Sequence, residues 1–277
     1  MRRGSAALYG ALAYLAFLGP IAYLVGFLAD AWVPKTVNRG AGAPGPALWV
    51  DVGLVALFGI QHSVMARPGF KARLARWVPE PLERSTYVLV SGLTLVLLFA
   101  LWRPIPGVLW DLRGTPGGAL LQAGFVAGWA LAVWATFALS HLHLFGVSQV
   151  ASFVRGQGHP RPALRRSLLY RLVRHPMTAG LLLAFWSTPR MTAGHLVFAA
   201  AMTVYSLWAT ALEERDLLGS YGDAYAAYRR EVPALVPLPS WGRLGPGLGA
   251  ELSAVAAVLL ALSWWVVRDA ARLPPLA

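Results

Sequence analysis

The chain has 277 residues, 57% hydrophobic and 13% charged, with no cysteine and a mean hydropathy of +0.55. A water-soluble domain carries about a quarter charged residues, so an ordinary soluble domain is excluded, as are disordered, collagen-like and disulfide-stapled chains. An integral membrane protein remains, and without cysteine it has no thiol nucleophile, zinc–thiolate site or iron–sulfur cluster of its own.

Taken in chain order, apolar runs occupy about Ala6–Leu28, Ala47–Ala66, Thr86–Trp102, Gly118–Leu139, Met177–Thr188, His195–Leu212 and Glu251–Val267. A hydrocarbon core of ~30 Å needs roughly 20 helical residues. The pattern therefore predicts an all-α fold, a polytopic transmembrane bundle of six to seven spans. The Met177–Thr188 run is short; it is expected to start earlier, near Leu168, and to turn into the next run through Thr188-Pro189-Arg190-Met191. Trp32, Trp49, Tyr87, Trp102, Trp264 and Trp265 lie near run ends, as interfacial anchors do. The first run is too long for a cleavable signal peptide and lacks its small-residue site, so no leader is expected.

The net charge is +12, from 24 Lys and Arg against 12 Asp and Glu. Of the 24, 17 fall in Arg2/Arg3, the 67–84 loop, the 155–174 loop and the 215–243 segment, and 7 in the alternate set of segments. The positive-inside rule then puts the N-terminus and these segments in the cytoplasm and, with seven crossings, the C-terminus outside. The basic excess is thus topological, and no nucleic-acid partner is required. An expected membrane domain spans residues 1–238, including a cytoplasmic amphipathic helix; residues 239–277 form an extension with a further span.

Chemistry at such a membrane is confined to the cytoplasmic segments and the helix ends beside them. Tyr170-Arg171-Leu172-Val173-Arg174-His175-Pro176 leads into Met177-Thr178-Ala179-Gly180. Pro176 suits the first position of a helix, where free N–H groups attract a carboxylate or phosphate. Arg174 and His175 add donors, and Gly180 admits a close neighbour. A plain helix start with interface arginines accounts for the spacing equally well. Glu213-Glu214-Arg215-Asp216 ends the sixth run, where acidic groups oppose the helix dipole and call for another partner, either Arg174 or a cationic ligand; a helix continuing into the cytoplasm with solvated charges is the other reading. Tyr221, Tyr225 and Tyr228 then share one helical face before Val232-Pro233.

The second run ends in Gln61-His62-Ser63, and buried polar groups at a membrane boundary favour function by default. Asp51 within the same run must face protein or water. His141 and His143 point to separate sides of a helix, so no metal is expected. Gly245-Pro246-Gly247-Leu248-Gly249 follows no strand and is no dinucleotide fingerprint.

Arg174-His175-Pro176 with Gly180, Glu213-Glu214, and the tail Tyr225…Tyr228-Arg229…Val232-Pro233…Pro237 resemble the membrane methyltransferases typified by isoprenylcysteine carboxyl methyltransferase. Ile60-Gln61-His62-Ser63-Val64-Met65-Ala66-Arg67-Pro68, Glu83-Arg84-Ser85-Thr86-Tyr87, Leu144-Phe145-Gly146, Phe185-Trp186…Gly194-His195 and Val33-Pro34-Lys35 resemble, more narrowly, the bacterial methanethiol S-methyltransferases, over roughly residues 8–238. The resemblance implies S-adenosyl-L-methionine as cofactor, a small volatile thiol as substrate, dimethyl sulfide as product, and a multi-pass protein of the bacterial inner membrane with its cofactor site on the cytoplasmic side. It further implies cofactor binding by Tyr170, Arg174, His175, Gly180, Glu213, Glu214, Tyr225 and Arg229. His62 or His175 would stabilise or deprotonate the thiol, with Gln61 orienting the histidine. Two departures stand out: Thr178 where the superfamily usually has Tyr, and the extension past Pro237. The alternatives are a methyltransferase for a larger lipid or prenylated thiol, and a non-enzymatic NnrU-like accessory protein. The latter has no need for Arg174-His175-Pro176 and Glu213-Glu214 to meet in space.

Overall fold

The computed structural model describes residues 2–40, 44–158 and 168–236. The expected last crossing over 251–267, and with it the extension beyond residue 238, lies outside the described residues.

The chain alternates between two ends of a helical bundle. Helix α1 (Arg3–Ala29) is followed by α2 (Pro44–Ala66), the short α3 (Pro68–Leu74), α4 (Glu80–Leu101), a strand β1 (Val108–Asp111) and α5 (Pro116–Leu139). Next come α6 (His141–Leu144), α7 (Val147–Arg155), α8 (Leu168–Leu172), α9 (Pro176–Trp186), β2 (Arg190–Thr192), α10 (Ala193–Tyr221) and α11 (Asp223–Glu231). Among the described residues five helices, α1, α2, α4, α5 and α10, are long and apolar enough to cross a membrane.

The short run departs from expectation. It does not begin near Leu168: α8 ends at Leu172, and a new helix starts at Pro176 with 11 residues. At 1.5 Å per residue α9 is about 16 Å long, roughly half a hydrocarbon core. The break follows from Pro176, which has no N–H to give and disfavours helical geometry in the residue before it. His175 accordingly sits at φ −125°, ψ 63°.

A second difference is the antiparallel ribbon of β1 and β2, which pairs Val108 with Thr192, Trp110 with Met191 and Asp111 with Arg190 around an irregularity. The segment read as a turn is half of this ribbon. It covers the far end of the bundle, where Thr192 accepts a hydrogen bond from His195 N–H and starts α10.

Helix α10 is the most enclosed of the long helices, two-thirds buried over its apolar window. Phe27, Phe185 and Phe198 are 0–1% exposed and stack edge-on or tilted with one another and with Trp102 at the ribbon end of the core. Helices α5 and α9 meet through small residues. A Cβ on Gly180 would sit 2.6 Å from Ala132 N and Gly128 O, and one on Gly128 would sit 2.6 Å from Ala184 N. In lipid there is no hydrophobic drive between helices, so close backbone approach supplies the packing. This contact holds the half-length α9 in place, and it gives Gly180 a packing role against α5.

Because the obstructing atoms are backbone, Gly128→Leu must force α5 and α9 apart. We expect a loss of at least ~2 kcal/mol, measured by thermal unfolding in detergent, while Gly53→Leu, with nothing within 4 Å of its added Cβ, leaves stability unchanged.

Candidate active site

The polar residues singled out in the 170–180, 213–214 and 221–232 segments converge at the end of the bundle opposite the ribbon. The break between α8 and α9 is what makes this so. With the chain out of helical geometry, Arg174 N–H donates to Pro233 O at 2.9 Å and His175 N–H to Ala234 O at 3.0 Å. The tail after α11 is thereby laid along the break.

Side chains complete the junction. Arg174 is 8% and Glu214 5% exposed, and Arg174 Nε and Nη2 lie 2.8 and 2.7 Å from Glu214 Oε1. Arg174 Nη1 also donates to Arg229 O at 3.0 Å and to Val232 O, satisfying carbonyls at the C-terminal end of α11, where a cation complements the helix dipole. His175 Nε2 is 3.1 Å from Glu214 Oε1, and Arg229 Nε is 3.4 Å from Glu214 Oε2. Both oxygens of Glu214 are therefore engaged by protein cations. Glu213 differs: its side chain is 60% exposed, and His175 Nδ1 lies 3.7 Å away. Since α10 continues to Tyr221, the two glutamates stand two turns before its end and not at its C-terminus, where the apolar run placed them. The dipole conflict read from the sequence does not arise.

Three tyrosines close the junction. Tyr228 Oη donates to Tyr170 O at 2.6 Å, and Tyr225 and Tyr228 are 1% and 3% exposed with rings 5.8 Å apart. Tyr225 Oη is buried and has no hydrogen-bond partner. Burial raises the phenol of Tyr225 above its ordinary pKa, with Glu214 adding to the shift, and burial then Glu213 do the same for Tyr170. Both hydroxyls stay protonated; that of Tyr170 donates to Ala135 O, and that of Tyr225 keeps its donor unused. A buried phenol with an unused O–H, an exposed carboxylate beside it, and the unpaired first-turn N–H groups of α9 form a donor and acceptor set suited to a molecule carrying both a cationic amine or sulfonium and a carboxylate. Gly180 does not join this set; it faces α5.

Gln61 and His62 stand on α2 beside a second polar group. Adjacent helical residues point about 100° apart, so Gln61 does not orient His62. Gln61 Oε1 accepts from Thr94 Oγ1 at 3.0 Å and its Nε2 meets Met65 Sδ at 3.0 Å. His62 is held instead by α4, with Nδ1 3.1 Å from Ser91 Oγ and Nε2 2.5 Å from Tyr87 Oη. Phe58 and Tyr205 complete the box, their ring centroids 5.3 and 6.3 Å from that of His62. A Cβ on Gly59 would come 2.6 Å from the Tyr205 ring, so glycine there is what lets α10 approach α2 so closely. Tyr205 lies eight residues before Glu213, about 12 Å along α10. Sequence reading passed over Tyr87 and Ser91 as site residues. Their signal was present: Tyr87, Ser91 and Thr94 are i, i+4 and i+7, a polar stripe on an apolar helix.

His141 is accounted for structurally, with Tyr14 Oη 2.7 Å from Nε2 and Thr136 Oγ1 2.8 Å from Nδ1. Asp51 is fully buried, accepting from Arg103 N–H at 2.9 Å at the ribbon end of α2.

Against known proteins, the chain is 48% identical over 240 residues to a methanethiol S-methyltransferase of Mycobacterium tuberculosis, covering 86% of this chain and 98% of that one. A methanethiol S-methyltransferase of a Pseudomonas species is 48% identical over 83% of this chain and 89% of its own. The chain belongs to the methanethiol S-methyltransferase family. A more distant relative, nurim from Pan troglodytes, is 35% identical over 68% of this chain and 73% of its own. No family model matches, and no solved structure matches. As in any member of this family, the chemistry to be accommodated is methyl transfer, and the chain's multi-pass helical body places it in the membrane.

Removing the Glu214 carboxylate leaves Arg174 buried without its counter-ion. Glu214→Ala is expected to destabilise by about 3–5 kcal/mol and to expose the 232–236 tail to protease, whereas Glu213→Ala, at an exposed carboxylate, changes stability by less than ~0.5 kcal/mol. Thermal unfolding with limited proteolysis in detergent separates the two.

Proposed function

We propose that this protein is an S-adenosyl-L-methionine-dependent methyltransferase that converts methanethiol to dimethyl sulfide, with its cofactor held at the junction of α8–α9, α10 and the tail. The observation that carries this reading is the meeting of Arg174-His175-Pro176 with Glu213-Glu214, which an accessory protein without a cofactor has no need to build. The names of the relatives support the substrate, and the alternation of basic segments supports a bacterial inner-membrane orientation with the N-terminus and the junction on the cytoplasmic side.

S-adenosyl-L-methionine supplies a methyl group already activated by a sulfonium. The protein's residues must bind and orient that group, exclude water and favour the thiolate. Because Glu214 is consumed in holding Arg174, His175 and Arg229, it acts as a positioning residue. Glu213 is the carboxylate available to the cofactor's ammonium or ribose. Tyr225 Oη, buried and without a protein partner, offers a hydrogen bond. The first-turn N–H groups of α9, with His175 and Arg229 beside them, would hold the cofactor carboxylate; Arg174 fixes the frame. His175 has each ring nitrogen directed at a glutamate, so the role of assisting the thiol falls to His62. Phe58, Tyr87 and Tyr205, packed around His62, would give a small apolar thiol aromatic surface to lie against, and the names of the relatives favour methanethiol over a prenylated substrate.

Calorimetry of the purified protein in detergent tests the assignment. The wild type binds S-adenosyl-L-methionine; Glu213→Ala weakens binding by about tenfold or more, as loss of a charged hydrogen bond should, with its unfolding temperature unchanged. No binding by the wild type defeats the functional reading, and full affinity in Glu213→Ala defeats that residue's role.

A further inference from the structure

Every methylation of a neutral thiol releases one proton, and a free thiol with a pKa of ~8.5 is mostly protonated at neutral pH. The contacts of His62 decide which atom can take that proton first. Both imidazole nitrogens are occupied, Nδ1 by Ser91 Oγ and Nε2 by Tyr87 Oη. Neither is open to a substrate. Of the two hydroxyls that cover them, Ser91 is 1% exposed and Tyr87 7%.

Tyr87 is also placed for ionic work. The Arg84 guanidinium lies 4.7 Å over its ring and is anchored by donation from Nε to Leu144 O at 2.6 Å. Glu213, the exposed carboxylate of the polar junction, stands on the same helix as Tyr205 of the aromatic box, eight residues further on. Lys71 and Glu83 pair at 3.1 Å near the start of the same helix.

We infer that Tyr87 is a catalytic residue, its hydroxyl oxygen receiving the thiol proton as its own proton passes to His62 Nε2. The inference rests on the methyltransferase reading above. His62 carries its resting proton on Nδ1 and donates it to Ser91, which leaves the Nε2 lone pair for Tyr87 and fixes the tautomer. The balance is closed. The S–H bond breaks and a new O–H bond forms on Tyr87; the former Tyr87 O–H bond breaks and an N–H bond forms on Nε2, giving an imidazolium. The sulfur electron pair forms the new C–S bond as the methyl leaves its sulfonium, which departs as a neutral thioether. After product leaves, the Nε2 proton passes back to the Tyr87 oxygen as Tyr87 gives up the thiol-derived proton, so one proton is released per turnover and His62 is neutral again.

The test is Tyr87→Phe in the full chain, assayed with methanethiol from neutral pH to above the thiol's pKa, and with a small fluorinated alkanethiol that is more acidic and so far more ionised at neutral pH. Tyr87→Phe is expected to lose about 10²-fold in kcat near pH 7 and to recover to within ~3-fold of wild type at high pH and with the acidic thiol, as loss of a proton acceptor should, with cofactor affinity unchanged. His62→Gln follows the same pattern, and carries the test if Tyr87→Phe does not fold. Full activity of Tyr87→Phe at neutral pH overturns the inference, as does a loss equal at every pH and with both thiols. These results differ from failure of the underlying reading, in which the wild type itself neither binds S-adenosyl-L-methionine nor methylates a thiol.

Discussion

The ion pair between Arg174 and Glu214 is the interaction on which the polar end of this molecule depends. Two charges at about 6% side-chain exposure lose hydration that only close partners can replace. Here the replacement is complete: Glu214 takes Arg174, His175 and Arg229, and Arg174 also takes carbonyls at the end of α11. One carboxylate therefore fixes the helix break, the central helix and the tail relative to one another. The same saturation leaves the neighbouring Glu213 as the exposed carboxylate of the junction.

The apolar part of the bundle makes this geometry reachable. A half-length α9 would be poorly held in lipid on its own, and it is secured by backbone contact with α5 at Gly128 and Gly180. Beginning α9 at Pro176 frees the N–H groups of Arg174 and His175 for the tail and leaves those of the first turn for a ligand. Close approach of α10 to α2 at Gly59 then brings Tyr205 against His62. The glycines in question thus act at a distance from any reacting atom, by setting helix separations within which polar side chains can meet.

Much of this was legible from residue order. Apolar run lengths located the five long helices, charge alternation separated the two ends of the bundle, and Arg174-His175-Pro176 with Glu213-Glu214 marked the junction. Three features were hidden for physical reasons. The ribbon of Val108–Asp111 with Arg190–Thr192 joins segments far apart in sequence, and strands this short carry no readable period. Glu213 and Glu214 looked equivalent because burial, not identity, separates them. Tyr87 read as an interfacial anchor near the start of its run and Ser91 drew no reading, because only the position of α2 shows that they share one imidazole. Gly180 was legible as a residue admitting a close neighbour, and that neighbour is helix α5, where the resemblance implied the cofactor.

What emerges is a division of labour along α10. In the proposed function, the end of α10 away from the ribbon holds the charged frame that would take the sulfonium cofactor, and Tyr205, about 12 Å back along the helix, borders the aromatic box that would take the thiol. The most direct measurement is headspace mass spectrometry of the purified protein in lipid vesicles, supplied with methanethiol and S-adenosyl-L-methionine carrying a trideuterated methyl group. The account predicts dimethyl sulfide bearing one deuterated methyl, formed in proportion to enzyme and turnover. Absence of that product, with the protein folded and the cofactor bound, would contradict it.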